Sequence, residues 1–157
     1  MTIDYVVGDL IESGEPVIAH GCNTVGVMGA GIARVVKAAW PEVYDQYDAA
    51  CADGTFDAGS AQRCVGANDR TVYNLGTQRN PGASATYWLV FLSFANMFES
   101  MKTWGHGRVA VPRIGCGIGG LDWSGVEGAI EAALDNVGAE IEVVVYTHPS
   151  EADKTWR

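Results

Sequence analysis

"HGCNTVGVMGAGIARVV", residues 20–36, carries Gly21, Gly26, Gly29 and Gly31 between two apolar segments. Ahead of it "PVIAH", residues 16–20, reads as a short strand; behind it "GIARVVKAAW" places apolar residues at helical spacing. A glycine-rich loop between a strand and a helix is where α/β folds hold ligands. Bare backbone there adopts positive φ and lets several N–H groups converge on one anion, while the helix N-terminus adds its partial positive charge. The same glycines would also serve a pair of ordinary tight turns, so the surrounding chain has to decide between the two.

A second cluster, "GCGIGG" at 115–120, repeats the arrangement. It follows "RVAVPRI" at 108–114, a strand, and precedes "DWSGVEGAIEAALDNVG" at 122–138, a helix closing on Gly138 as a C′ residue. Further strands are expected at 3–7 ("IDYVV"), 71–78 ("TVYNLGTQ") and 140–148 ("EIEVVVYTH"), the last apolar enough for a sheet interior. A helix starts at Pro41, which suits a first turn. A longer one follows Pro81, where Tyr87, Phe91, Phe94, Phe98 and Met101 recur every three or four residues as a core-facing stripe. Strands alternating with helices, without repeat or linker, imply one α/β domain over residues 1–150 and a flexible tail over 151–157.

Composition narrows the function. Ten Lys and Arg stand against nineteen Asp and Glu, a net charge of −9, which excludes a general electrostatic grip on nucleic acid. Cys22, Cys51, Cys64 and Cys116 form no C-x-x-C pair, and no His, Cys or carboxylate cluster has ligand spacing, so neither a metal nor a cofactor is expected. The start, "MTIDYVVGDL", lacks the basic region of a signal peptide, and "YWLVFLSFANMF" at 87–98 is too short to span a bilayer. Reduced thiols, a cytoplasmic location and a monomer are the expectation. Gly115, Gly117 and Gly120 satisfy the dinucleotide fingerprint G-x-G-x-x-G. They fall too late in the chain, however, and Asp135, at the acidic position, ends a helix instead of a strand. No Gly-Lys-Ser or Gly-Lys-Thr occurs, which excludes a Walker loop.

"YVVGDL", then "IAHGCNTVGVMGAGIARVV", then "VPRIGCGIGGLDW" and a terminal "VVVYT", in that order over residues 3 to 147, resemble a macrodomain. The similarity is to the branch with terminal ADP-ribose glycohydrolases, DNA–ADP-ribose-removing antitoxins and ADP-ribose 1″-phosphate phosphatases. The resemblance implies a three-layer α/β/α sandwich with a central mixed sheet. Its ligand would be ADP-ribose or an ADP-ribosylated small molecule, protein or nucleic acid. It places Asp9, with Leu10 beside it, at the adenine amino group, and Asn23 at the distal ribose. Gly29, Ala30, Gly31 and Ile32 would run along the diphosphate. Gly115, Cys116, Gly117, Ile118, Gly119 and Gly120 would close over the phosphates and distal ribose, and Tyr146 to His148 would border the adenine.

The same resemblance exposes departures. Glycohydrolases of this branch use a lysine after the "YNLGT"-like strand and an aspartate in the second glycine loop; here Gln78, followed by Arg79, and Gly119 stand at those positions. Gln forms no Schiff base and Arg stays protonated, so neither is a nucleophile. Asp122, three residues beyond Gly119, reads as a helix cap first and a base second. His20 matches a histidine that the phosphatase-like members carry, and an imidazole near a distal phosphate is the catalytic candidate. The implied function is ADP-ribose binding, with hydrolysis at the 1″ position or, alternatively, non-catalytic reading of ADP-ribose.

Overall fold

A computed structural model of the protein describes residues 2–156. Six strands, β1 (Thr2–Val7), β2 (Val17–Cys22), β3 (Ala61–Val65), β4 (Thr71–Gly76), β5 (Arg108–Val111) and β6 (Glu142–Thr147), form one sheet in the order β1-β6-β5-β2-β4-β3. Neighbours are parallel except β3 with β4, so the sheet is mixed. β3 is an element that the sequence pattern does not announce. It is short, Gln62 and Arg63 interrupt its apolar alternation, and only Cys64 of its five residues is buried. Such a strand suits a sheet edge.

Four helices cover both faces. Along β2, Val17 and Ala19 point into one core with Tyr73, Phe94 and Ile130, while Ile18 points into the other with Val36 and Val43. This period-two alternation, apolar on both sides, requires a helix layer on each face. α1 (Gly31–Ala39) and α2 (Pro41–Asp53) supply one layer; α3 (Tyr87–Trp104) and α4 (Trp123–Val137) supply the other. Phe94, Phe98 and Met101 are fully buried, each contributing roughly 1.5–3 kcal/mol of apolar burial. Tyr87 and Trp88 lie exposed at the start of α3. Pro41 opens α2, and α4 closes on Gly138 in the left-handed conformation, both as the sequence predicts.

The five parallel strands end at one edge of the sheet, and every candidate loop leaves from that edge. At the opposite edge Glu15 takes a two-point grip from Arg108, with Nε to Oε1 at 2.9 Å and Nη2 to Oε2 at 2.8 Å. The Arg108 hydrogen bond is the main reason that the Glu15 carboxyl sits below its ordinary pKa. Among the described residues no helix is long and apolar enough to cross a membrane.

Candidate functional site

A cleft of about 630 Å³ runs across the C-terminal ends of the parallel strands, a size suited to a small-molecule ligand. Strand order spreads its lining along the edge. Asp9, after β1, stands at one end with Tyr146, near the end of β6, and His148, just past it; Arg113 and the second glycine loop lie in the middle, after β5; Asn23 and Gln78 stand at the other end, after β2 and β4.

The first loop is stapled from inside. Asn23 Nδ2 donates to Val27 O at 2.8 Å, and its Oδ1 accepts from Val25 N at 3.1 Å and Val27 N at 3.3 Å. From α2, the Tyr47 hydroxyl lies 2.8 Å from both Asn23 O and Oδ1, and Tyr44 donates to Gly26 O at 3.0 Å. The loop is therefore preorganised against a helix face. Gly31 has φ +59°, and a Cβ there would come within 3.2 Å of Ile118 Cδ1, which reaches over from the second loop. The two glycine loops thus meet above the cleft. In the second loop Gly119 admits no side chain, since its Cβ would stand 2.7 Å from Gly115 O.

Asp9 divides its carboxylate between two tasks. Oδ1 accepts from Ile11 N at 2.9 Å and Glu12 N at 3.2 Å, closing the turn after β1. Oδ2 lies 3.6 Å from His148 Nε2 and is the half turned away from that turn. Gln78 is held by its own loop, donating to Asn80 O at 2.6 Å and Gly82 O at 3.0 Å.

Of the predicted ligand residues, Asp9, Leu10, Asn23, Gly29, Ala30, Gly31, Ile32, Gly115, Gly117, Ile118, Gly119 and Tyr146 line the cleft. Cys116 and Gly120 are not among them. The Cys116 thiol turns back to Ile114 O at 3.6 Å and packs on the larger core, while Gly120 lies beside Ala83. The two catalytic candidates also fall outside the lining. His20 is buried in the sheet, where Nε2 donates to Asn74 Oδ1 at 2.6 Å and Asn74 Nδ2 donates on to Gln62 Oε1 at 3.0 Å. Burial pulls its pKa down to about 4, so the imidazole is neutral at pH 7. Asp122 is exposed at the N-cap of α4 without a side-chain capping bond.

The thiols offer no nucleophile. Burial pushes Cys22, on the cleft floor, well above its ordinary pKa, and lifts Cys116 to about 11. Among the described residues no group of His, Cys, Asp and Glu is arranged to hold a metal ion. Among the lining residues that the sequence reading does not single out are Arg113, inside the "VPRIGCGIGGLDW" block, and Trp156, which returns from the C-terminal segment to pack on the larger core. Residue type and spacing carry no signal for either orientation.

Comparison with known proteins places this geometry. The Macro domain family model matches residues 19–130. A DNA ADP-ribosyl glycohydrolase of Mycobacterium tuberculosis is 29% identical over 147 residues, covering 92% of this chain and 42% of that protein. The chain thus spans less than half the length of that relative. The ADP-ribose glycohydrolase OARD1 of Homo sapiens is 29% identical over 146 residues, covering 92% of this chain and 91% of that protein. The structure of Thermosipho africanus DarTG in complex with ADP-ribose superposes with a TM-score of 0.82 at 28% identity, over 99% of this chain and 43% of that one.

Proposed function

The chain belongs to the Macro domain family, and on that basis we propose that its cleft binds ADP-ribose, adenosine toward Asp9 and distal ribose toward Asn23. One observation carries the reading: two glycine loops, one after β2 and one after β5, meet through Gly31 and Ile118 across the middle of a cleft of about 630 Å³. Backbone N–H groups at that point suit a diphosphate, and the ends of the cleft suit a base and a sugar. Asp9 Oδ2 accepts from the adenine amino group, an acceptor-only carboxylate meeting an exocyclic amine.

The reaction class that this binding serves is hydrolysis at the 1″ position, releasing ADP-ribose from a linked phosphate, protein or nucleic acid. The nucleophile is water held between the loops near Asn23, because Gln78 is no nucleophile and His20 lies buried in the sheet outside the cleft lining, bonded to Asn74. His20 then acts by fixing Asn74 and the strand ends. The same two facts favour a second reading, a reader that holds ADP-ribose without turning it over. The four free cysteines agree with a reducing compartment, and we place the protein in the cytoplasm.

Calorimetry with ADP-ribose tests binding, and absence of heat at millimolar ligand sinks the assignment. Incubation with ADP-ribose 1″-phosphate and with ADP-ribosylated DNA then separates the readings. Release of phosphate or ADP-ribose supports the hydrolase, whereas saturable binding of both without release supports the reader.

A further inference from the structure

Arg113 stands just past β5, at the root of the second glycine loop, and is the one Lys or Arg among the residues described as lining the cleft. Asp9 and Glu151 line the same cleft with the opposite charge. The Arg113 Nε donates to Thr147 Oγ1 at 3.2 Å. Among the described residues no carboxylate lies within 4.0 Å of its guanidinium. Three aromatic rings surround it instead, with the guanidinium carbon 5.0 Å from the centre of Trp123, 5.1 Å from Trp156 and 5.3 Å from Tyr5. The cage is itself tied, since Trp123 Nε1 donates to the Tyr5 hydroxyl at 3.0 Å and that hydroxyl donates to Glu127.

Ring faces and carboxylates hold a cation in different ways. A carboxylate cancels its charge; an aromatic quadrupole attracts the cation but adds no net charge, so the field persists outside the cage. Arg108 shows the contrast within this chain, gripped by Glu15 and paired with Glu142. The protein as a whole carries −9, a field that opposes an anionic ligand. An arginine kept un-neutralised in the cleft wall is a local answer to that field. We propose that Arg113 is a binding residue for the diphosphate of the ligand, and that Trp156 completes an aromatic cage which keeps its charge available. This rests on the ADP-ribose reading and deepens it: the site selects dianionic ligands through one side-chain cation in addition to backbone N–H groups.

The test is calorimetric titration of ADP-ribose into the full chain at low and high sodium chloride, for wild type, Arg113→Met and Arg113→Lys, with a thermal melt of each. Loss of a charge-assisted contact predicts that Arg113→Met weakens binding roughly 10- to 100-fold and flattens its salt dependence. Arg113→Lys keeps the charge, so its salt dependence stays close to that of wild type. If Arg113→Met does not fold, Arg113→Gln, a neutral side chain with a polar head, takes its place: weakened affinity with a flattened salt dependence supports the proposal, and wild-type affinity or wild-type salt dependence overturns it. Unchanged affinity and salt dependence in Arg113→Met also overturn it, as does weakened affinity with the wild-type salt dependence, which would make Arg113 a packing residue. Failure of wild type to bind ADP-ribose is a separate result and counts against the function itself.

Discussion

The resemblance puts Gln78 where the glycohydrolases of that branch carry lysine, and its amide is bound to Asn80 O and Gly82 O. A lysine there would offer its ammonium to the same two carbonyls, which favour the protonated, non-nucleophilic form. No carboxylate stands at Gly119 to assist. Gln78→Lys is therefore expected to leave the release of ADP-ribose from ADP-ribosylated DNA at the wild-type level, followed as free ADP-ribose over time. A large gain would show that the carbonyls do not hold the side chain. Single residues were legible in the sequence to differing depth. Asp9 and Asn23 were located by motif, but their hydrogen bonds were not, because an Asx turn and a ligand contact use the same residue types. His20 shows the limit most clearly: its position in "AHGCN" suggests a site, while its place in the sheet, opposite Asn74, depends on pairing between β2 and β4 across 54 residues of chain.

The glycine loops have their own test. Gly119 has no space for a Cβ, with Gly115 O at 2.7 Å and Ala85 Cβ at 3.0 Å, whereas Gly117 has nothing within 4 Å. Gly119→Ala should destabilise the fold by about 1–3 kcal/mol and weaken ADP-ribose binding, since the loop must shift to relieve the overlap. Gly117→Ala should change stability by less than about 0.5 kcal/mol. Melting curves of the two variants make the comparison, and equal losses would refute it. That both clusters were loops between a strand and a helix was readable from hydrophobic period alone. The anchoring of the first loop was not, because nothing in residue type marks Tyr44 and Tyr47 beyond their place in the helix that Pro41 opens. β3 stayed hidden for a related reason, as an edge strand whose pairing with β4 supplies what its side chains lack.

Stability of the whole molecule should fall on acidification in two successive windows. His20 has a folded pKa of about 4 against an ordinary 6.5, so the unfolded chain takes up a proton that the folded one refuses. Its contribution is complete above pH 6.5 and is lost as pH falls toward 4, with a slope of up to roughly 1.4 kcal/mol per pH unit. Glu15 is lowered from 4.5 by Arg108; its contribution is present above 4.5 and lost as pH falls further, through its folded pKa. Denaturant midpoints across pH should show His20→Gln flattening the upper window and Glu15→Gln the lower. A wild-type midpoint independent of pH between 7 and 4 would refute the burial account of His20. The layered architecture and its single cleft edge were legible in the alternation of strands and helices, whereas these two buried groups emerge only from strand neighbours. The cage around Arg113 has one more consequence, an optical one. Of the five tryptophans, Trp156 alone is among the residues described as lining the cleft, so the indole emission carries a built-in reporter of what occupies it.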